Sequence, residues 1–71
     1  MISYVITYRY KTQDEQDAPK QAIICKSTIE VTKALELLRT SDRVDQSRMI
    51  RIEEITQNGI FATIKDITRG F

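Results

Sequence analysis

The 71-residue chain contains no histidine, and it has one cysteine, one proline and two glycines. Histidine is the usual general base near neutral pH and a common metal ligand, so its absence excludes many catalytic mechanisms and the usual zinc sites. Cys25 cannot form an internal disulfide and has no histidine to activate it, so we expect a small, half-buried strand residue. Both glycines, Gly59 and Gly70, lie near the C-terminus, which excludes a glycine-rich phosphate loop.

The acidic residues do not form a recognisable site either. The densest group, "DEQD" at residues 14–17, lacks the alternating oxygen ligands and the glycine of a calcium loop. Glu53 and Glu54 are adjacent, so on a regular strand their carboxylates point to opposite faces and cannot converge on one substrate. We therefore predict no catalytic residues, no metal and no cofactor, and we expect that the protein is not an enzyme.

Charge and hydropathy further narrow the class of protein. Eleven basic residues face ten acidic ones, for a net charge of +1, which lacks the basic excess of a typical nucleic-acid-binding protein. No stretch approaches the length of a membrane span, and the first residues do not have the pattern of a signal peptide. The single cysteine fits a reducing compartment. We expect a cytoplasmic protein with no membrane partner.

The length predicts a single small domain over residues 1–71. A core of this size supplies only roughly 3–5 kcal/mol, and small domains often add a disulfide, a metal or a second subunit. Since the first two are not expected here, association with a partner is the remaining source of stability.

Two strands are predicted before the helix. Residues 2–11 alternate, with three tyrosines in phase with Ile2 and Ile6, which is typical of a strand. Residues 12–21 contain three acids and the proline, and they are predicted to form a solvated connection. Residues 22–27, "AIICKS", form a second strand that is apolar on both phases.

The pattern then changes to a helical period. Ser27 and Glu30 have the spacing of a capping box at a helix N-terminus. An apolar stripe follows at the i, i+3, i+4 and i+7 spacing and consists of Val31, Ala34, Leu35 and Leu38. Leu37 is predicted to widen this stripe, and the helix is predicted to end near Thr40 or a few residues later.

A β-hairpin is predicted at the C-terminal end. Strands over residues 48–57 and 60–67 are joined by Asn58-Gly59, a dipeptide that favours a type I′ turn and would place Gln57 opposite Ile60. A bulge at Glu53-Glu54 would let the isoleucines at 50, 52 and 55 share one face. The predicted fold is α+β with β-β-α-β-β order, in which one amphipathic helix packs on an antiparallel four-stranded sheet.

The segment "VITYRYK", residues 5–11, interleaves aromatic and basic residues, as some sheets that bind single-stranded nucleic acid do. Because its tyrosines share a phase with isoleucines, we predict that they belong to the core instead.

One helix covers one face of a sheet, so the remaining apolar residues are predicted to form an exposed patch on the open face. We place Val5, Phe61 and Ile67 there. The predicted function is a non-enzymatic protein-interaction module that self-associates, as a homodimer, or binds another protein. Its size suits an accessory protein such as a phage or plasmid encodes, although no motif identifies one.

The alternative function is a nucleic-acid-binding regulator with a basic surface. Its candidate residues are Arg9, Lys11, Arg39, Arg43, Arg48 and Arg51. Salt dependence separates the two hypotheses, since phosphate contacts weaken steeply as salt rises and apolar contacts do not.

Overall fold

The computed structural model describes residues 1–11 and 19–71 of the chain. These residues form β1 (Ile2–Arg9), β2 (Lys20–Cys25), α1 (Thr28–Thr40), β3 (Arg51–Asn58), β4 (Phe61–Asp66) and a 3₁₀ helix (Thr68–Gly70). The strands pair antiparallel in the order β2-β1-β3-β4. The predicted α+β fold with one helix and a four-stranded sheet is confirmed.

The predicted connection over residues 12–21 falls mostly on residues 12–18, which lie outside the described ranges, and so does the acidic group at 14–17. Its last two residues, Lys20 and Gln21, belong to β2 and pair with Arg9 and Tyr8.

Helix α1 begins at the predicted cap. The Glu30 amide donates to Ser27 Oγ at 3.2 Å, and the Glu30 carboxylate accepts from the Lys26 amide at 2.6 Å. The first bond is the predicted one. The second differs from the predicted capping box, in which the carboxylate accepts from the Ser27 amide, because here it accepts from the residue before Ser27. The helix ends at Thr40, as predicted, and the Gln46 side-chain amide donates to the carbonyl of Leu38 at 2.7 Å.

The helix packs on the sheet face that carries Ile6 and Tyr8. The buried core consists of Ile6, Tyr8, Cys25, Val31, Leu35, Leu38, Val44 and Ile52. The prediction that the tyrosine-isoleucine phase is the core side is confirmed for Ile6 and Tyr8, and Tyr4 packs against the same cluster. Cys25 is more deeply buried than the half-buried position that was expected.

The predicted role of Leu37 was wrong. At 100° per residue this side chain lies about 120° around the helix from Val31, and it is 72% exposed. The buried stripe of α1 is therefore narrow, with Val31, Leu35 and Leu38 buried and Ala34 half-buried.

The connection between α1 and β3 returns to β1. Val44 is buried and forms an antiparallel bridge with Tyr10, and the Asp45 amide donates to the Arg9 carbonyl at 2.8 Å. This pairing continues along β1 past Thr7, where the pairing with β3 stops, and it covers that end of the core with Val44.

The predicted turn at Asn58-Gly59 was wrong by one position. Asn58 pairs with Phe61, so Gly59 and Ile60 are the two central residues of the turn. Gly59 has a φ of +62°, while no non-glycine residue in the described ranges has a positive φ. A glycine with positive φ at the first central position is the pattern of a type II′ turn. The observed register places Ile55 opposite Ile64 and Glu54 opposite Lys65, two favourable cross-strand pairs.

The predicted bulge at Glu53-Glu54 is also wrong. Pairing of β3 with β1 is regular from Arg51 to Thr56, without an inserted residue. Ile52 therefore lies in the core, while Ile55 points to the opposite face of the sheet.

The turn can be tested with the two glycines of the chain. An added Cβ would meet no atom within 4 Å at Gly59 or at Gly70, so steric space does not distinguish the two sites. Gly59→Ala should lower the free energy of unfolding by about 1–2 kcal/mol because of its positive φ, and Gly70→Ala should have little effect. Urea denaturation measures both.

Asn58→Val separates the observed register from the predicted one. In the observed turn Asn58 is a strand residue, so valine should be tolerated. A loss of stability as large as that of Gly59→Ala would instead support a turn centred on Asn58-Gly59.

The core assignment of the tyrosines predicts unequal effects of truncation. Tyr8→Ala should cost roughly 3–5 kcal/mol, as for other large buried aromatic residues, while Tyr10→Ala should cost clearly less because Tyr10 lies just beyond β1 and is exposed. Equal and small changes in urea midpoint would contradict the core assignment, and Tyr8→Leu provides a milder variant if Tyr8→Ala does not fold.

Candidate functional site: the open face of the sheet

The sheet face opposite α1 is defined by strand register. Successive residues of a strand point to opposite faces, so Val5 points away from the core that contains its neighbour Ile6. Residues that pair across strands point to the same side, so the pairing partners of Val5 lie on the open face with it. This side carries Ser3, Val5, Thr7 and Arg9 of β1, Lys20, Ala22 and Ile24 of β2, Arg51, Glu53, Ile55 and Gln57 of β3, and Ala62, Ile64 and Asp66 of β4.

Four aliphatic side chains cross this face as a continuous line, which we call the apolar stripe: Ile24, Val5, Ile55 and Ile64. Val5 is paired with Ile24, and Ile55 is paired with Ile64. Val5 and Ile55 are diagonal neighbours, because Val5 lies opposite Glu53, two residues before Ile55. Diagonal neighbours are about 7–8 Å apart, close enough for one side chain of a partner to contact both. The stripe therefore spans all four strands.

The ends of the apolar stripe are the most exposed. Ile24 on β2 is 74% exposed and Ile64 on β4 is 62% exposed, whereas Val5 and Ile55 are half-buried by their neighbours. Both end residues lie on the outermost strands of the described sheet.

A group of charged residues borders the stripe on β3 and β4. Arg51 Nε lies 3.9 Å from Glu53 Oε1 and 3.7 Å from Asp66 Oδ2. The Thr68 hydroxyl and amide both donate to Asp66 Oδ1, at 2.5 Å and 2.9 Å, and these bonds, with a smaller contribution from Arg51, lower the pKa of Asp66. The Asp66 carboxylate is thus held in place beside the stripe, and Arg51 offsets part of the negative charge of the two acids.

The predicted partner-binding residues are divided between the two faces. Val5 lies on the open face, but assigning Phe61 and Ile67 to it was wrong. Phe61 pairs with Asn58, which has the phase of the core residue Ile52, so Phe61 lies on the helix side of the sheet, near the hairpin tip. Ile67 follows β4 and packs against the core cluster.

Sequence reasoning missed the other three residues of the stripe. Strand β2 was recognised as apolar on both phases, which is the signal for Ile24. Ile55 was missed because the predicted bulge moved it into the core. Ile64 was missed because the face of a residue in β4 depends on the register of the hairpin.

The six basic residues of the nucleic-acid hypothesis differ in their surroundings. Arg39 donates to the carbonyl of Phe71 at 3.1 Å, Arg48 pairs with Asp45 at 3.4 Å, and Arg51 pairs with the acids beside the stripe. Arg9 lies on the open face opposite Lys20. The structure does bring Lys11 and Arg43 together, beside Tyr10.

The described surface includes two clefts that bear on function. One of about 640 Å³ is lined by Met49 and the segment from Lys65 to Gly70. The other, of about 490 Å³, is lined by Tyr10, Lys11 and Arg43.

Cys25 has the character of a core residue. It is 3% exposed, and burial, with a smaller contribution from Glu30, raises the pKa of its thiol, which disfavours the nucleophilic thiolate. Within residues 1–11 and 19–71, no group of three or more His, Cys, Asp and Glu side chains is placed to hold a metal ion.

Comparison with known proteins gives no relative: no family model, no curated protein and no solved structure matches the chain. None of the described helices has the length and apolar character that crossing a membrane requires.

Proposed function

We propose that this chain is a small protein-binding module that associates with a second copy of itself through the open face of its sheet. The apolar stripe is the observation that carries the proposal. Exposed apolar residues that are contiguous mark interaction surfaces more often than scattered ones do. A small binding protein of this kind would suit an accessory role, such as one encoded by a phage or a plasmid.

A second copy is favoured as the partner because the stripe is linear. A twofold axis that lies in the interface and runs along the stripe brings each stripe onto its own copy, so each aliphatic side chain meets an aliphatic side chain. Face-to-face sheets pack about 10 Å apart, with inward side chains filling the space. Arg51, Glu53 and Asp66 would remain at the rim, where paired charges are tolerated.

The outer face of α1 is a weaker candidate. Its exposed apolar residues are Ile29 and Leu37, two turns apart on one ridge with Lys33 between them. An apolar surface interrupted by a lysine offers less continuous contact than the stripe.

The size of the face predicts a weak dimer. Four strands about 4.8 Å apart, with about six residues of about 3.3 Å each, give an outline on the order of 19 by 20 Å. The surface area buried by such a contact falls at or below the lower end of the range for specific interfaces, which is about 1,200 Å² for the two partners together. We therefore expect a dissociation constant on the order of micromolar and a measurable monomer population.

The alternative function, nucleic-acid binding by all six candidate basic residues, would require one basic surface. Arg39, Arg48 and Arg51 already contact acceptors within the protein. Of the other three, Arg9 lies on the open face, while Lys11 and Arg43 line one cleft, so we take the place where Lys11 and Arg43 meet as the remaining candidate.

The self-association proposal predicts a difference between two variants on the same strand. Ile64→Glu adds a charge to the open face, and Phe61→Glu adds the same charge at a residue of similar exposure, 62% against 72%, on the other face. Ile64→Glu should shift the sedimentation equilibrium toward monomer by about tenfold or more in dissociation constant, and Phe61→Glu should leave it within about twofold. Since both residues are exposed, both variants should stay folded, which circular dichroism can check.

Ile24→Glu provides an independent test at the other end of the stripe and should act like Ile64→Glu. Raising salt from 50 mM to 500 mM should not weaken the wild-type dimer, because its contacts are apolar. A wild-type protein that remains monomeric at millimolar concentration would contradict the proposal, as would an equal effect of Phe61→Glu and Ile64→Glu.

A further inference from the structure

We propose that Tyr10, Lys11 and Arg43 form a binding site for one nucleotide unit, with the base stacked on the Tyr10 ring and the phosphate between Lys11 and Arg43. This site is separate from the apolar stripe, because Tyr10 and Lys11 lie beyond Arg9, the last residue of β1, whereas the stripe crosses β1 at Val5 in the middle of that strand.

The backbone holds the two basic residues together, although they are far apart in the sequence. The Lys11 amide donates to the carbonyl of Arg43 at 2.8 Å, and Tyr10 bridges to Val44, whose side chain is buried. The side chains of Lys11 and Arg43 therefore belong to two residues whose backbones are hydrogen-bonded to each other. With Tyr10 they line the cleft of about 490 Å³.

Tyr10 has the properties of a stacking surface. Its ring meets the buried Tyr8 ring edge-on, with 5.5 Å between centroids and a 90° angle between planes, and the two hydroxyls are 3.4 Å apart. These contacts fix the ring, yet 37% of the residue remains exposed. A fixed, exposed aromatic ring beside cations is the arrangement with which proteins bind bases of single strands.

The two basic residues have no ion-pair partner among the described residues, in contrast to Arg48 and Arg51. An anion that enters the cleft would therefore not need to displace a described carboxylate. Two cations next to one aromatic ring match a phosphate linked to a base better than they match an acidic peptide, which would leave the ring unused.

Fluorescence anisotropy with a labelled ten-nucleotide oligothymidylate tests the proposal at low salt. Tyr10→Leu should weaken binding by about five- to a hundred-fold through lost stacking. Arg43→Gln and Lys11→Gln should each weaken binding and lower the salt dependence by about one counterion. Lys33→Gln is the matched control, since it removes one charge from the outer face of α1, and it should have little effect.

Thymidine monophosphate and inorganic phosphate serve as competitors. If single strands are the natural ligand, the oligonucleotide should bind much more tightly than the mononucleotide; if free nucleotides are, the two should be similar. Inorganic phosphate should compete poorly in both cases, because it cannot stack.

Three results would overturn the proposal: no binding of the oligonucleotide or the mononucleotide, binding that Tyr10→Leu leaves unchanged, or an equal effect of Lys33→Gln and Arg43→Gln. Circular dichroism should confirm that each variant is folded. Repeating the titration with Ile64→Glu separates this site from self-association, since the open-face variant should bind the oligonucleotide as the wild type does.

Discussion

Helix α1 packs against one face of a four-stranded sheet, and this packing determines which side chains of the sheet are buried and which are exposed. The helix contacts β1 and β2 and buries Val31, Leu35 and Leu38 against Ile6 and its neighbours. Strands alternate with a period of two, so burying Ile6 and Ile52 on the helix side sends Val5 and Ile55 to the other side. The apolar stripe is a direct consequence of covering a sheet of this composition on one face only.

The sequence predicted the features that depend on local chemistry. The Ser27-Glu30 cap, the end of α1 at Thr40 and the strand character of β1 all follow from residues close together in the chain, and the structure agrees with each of them. The predictions that failed were those that depend on pairing between residues far apart in the chain. The bulge was inferred on the assumption that every isoleucine of β3 belongs to one core, whereas Ile55 pairs with Ile64 on the open face.

The candidate sites show the same difference between features that local sequence predicts and features that depend on long-range pairing. An exposed apolar patch was predicted because one helix cannot cover two faces, but two of its three predicted residues lie elsewhere. The face of Phe61 and the position of Ile67 depend on the hairpin register and on packing after β4, neither of which a local pattern determines. The cleft at Tyr10 was not predicted at all. It exists because Val44 pairs with Tyr10 across more than thirty residues, so that Arg43 reaches Lys11.

Association of two copies through the open face would depend on concentration, which can be measured. The most direct measurement is a series of two-dimensional NMR spectra of the wild-type protein from micromolar to millimolar concentration. If two copies associate through the open face, the methyl signals of the stripe residues Ile24, Val5, Ile55 and Ile64 should shift together along one dimerisation curve, while those of Ile29 and Leu37 on α1 stay fixed. Signals that do not change with concentration, or changes confined to the outer face of α1 or to the hairpin tip at Ile60 and Phe61, would contradict it.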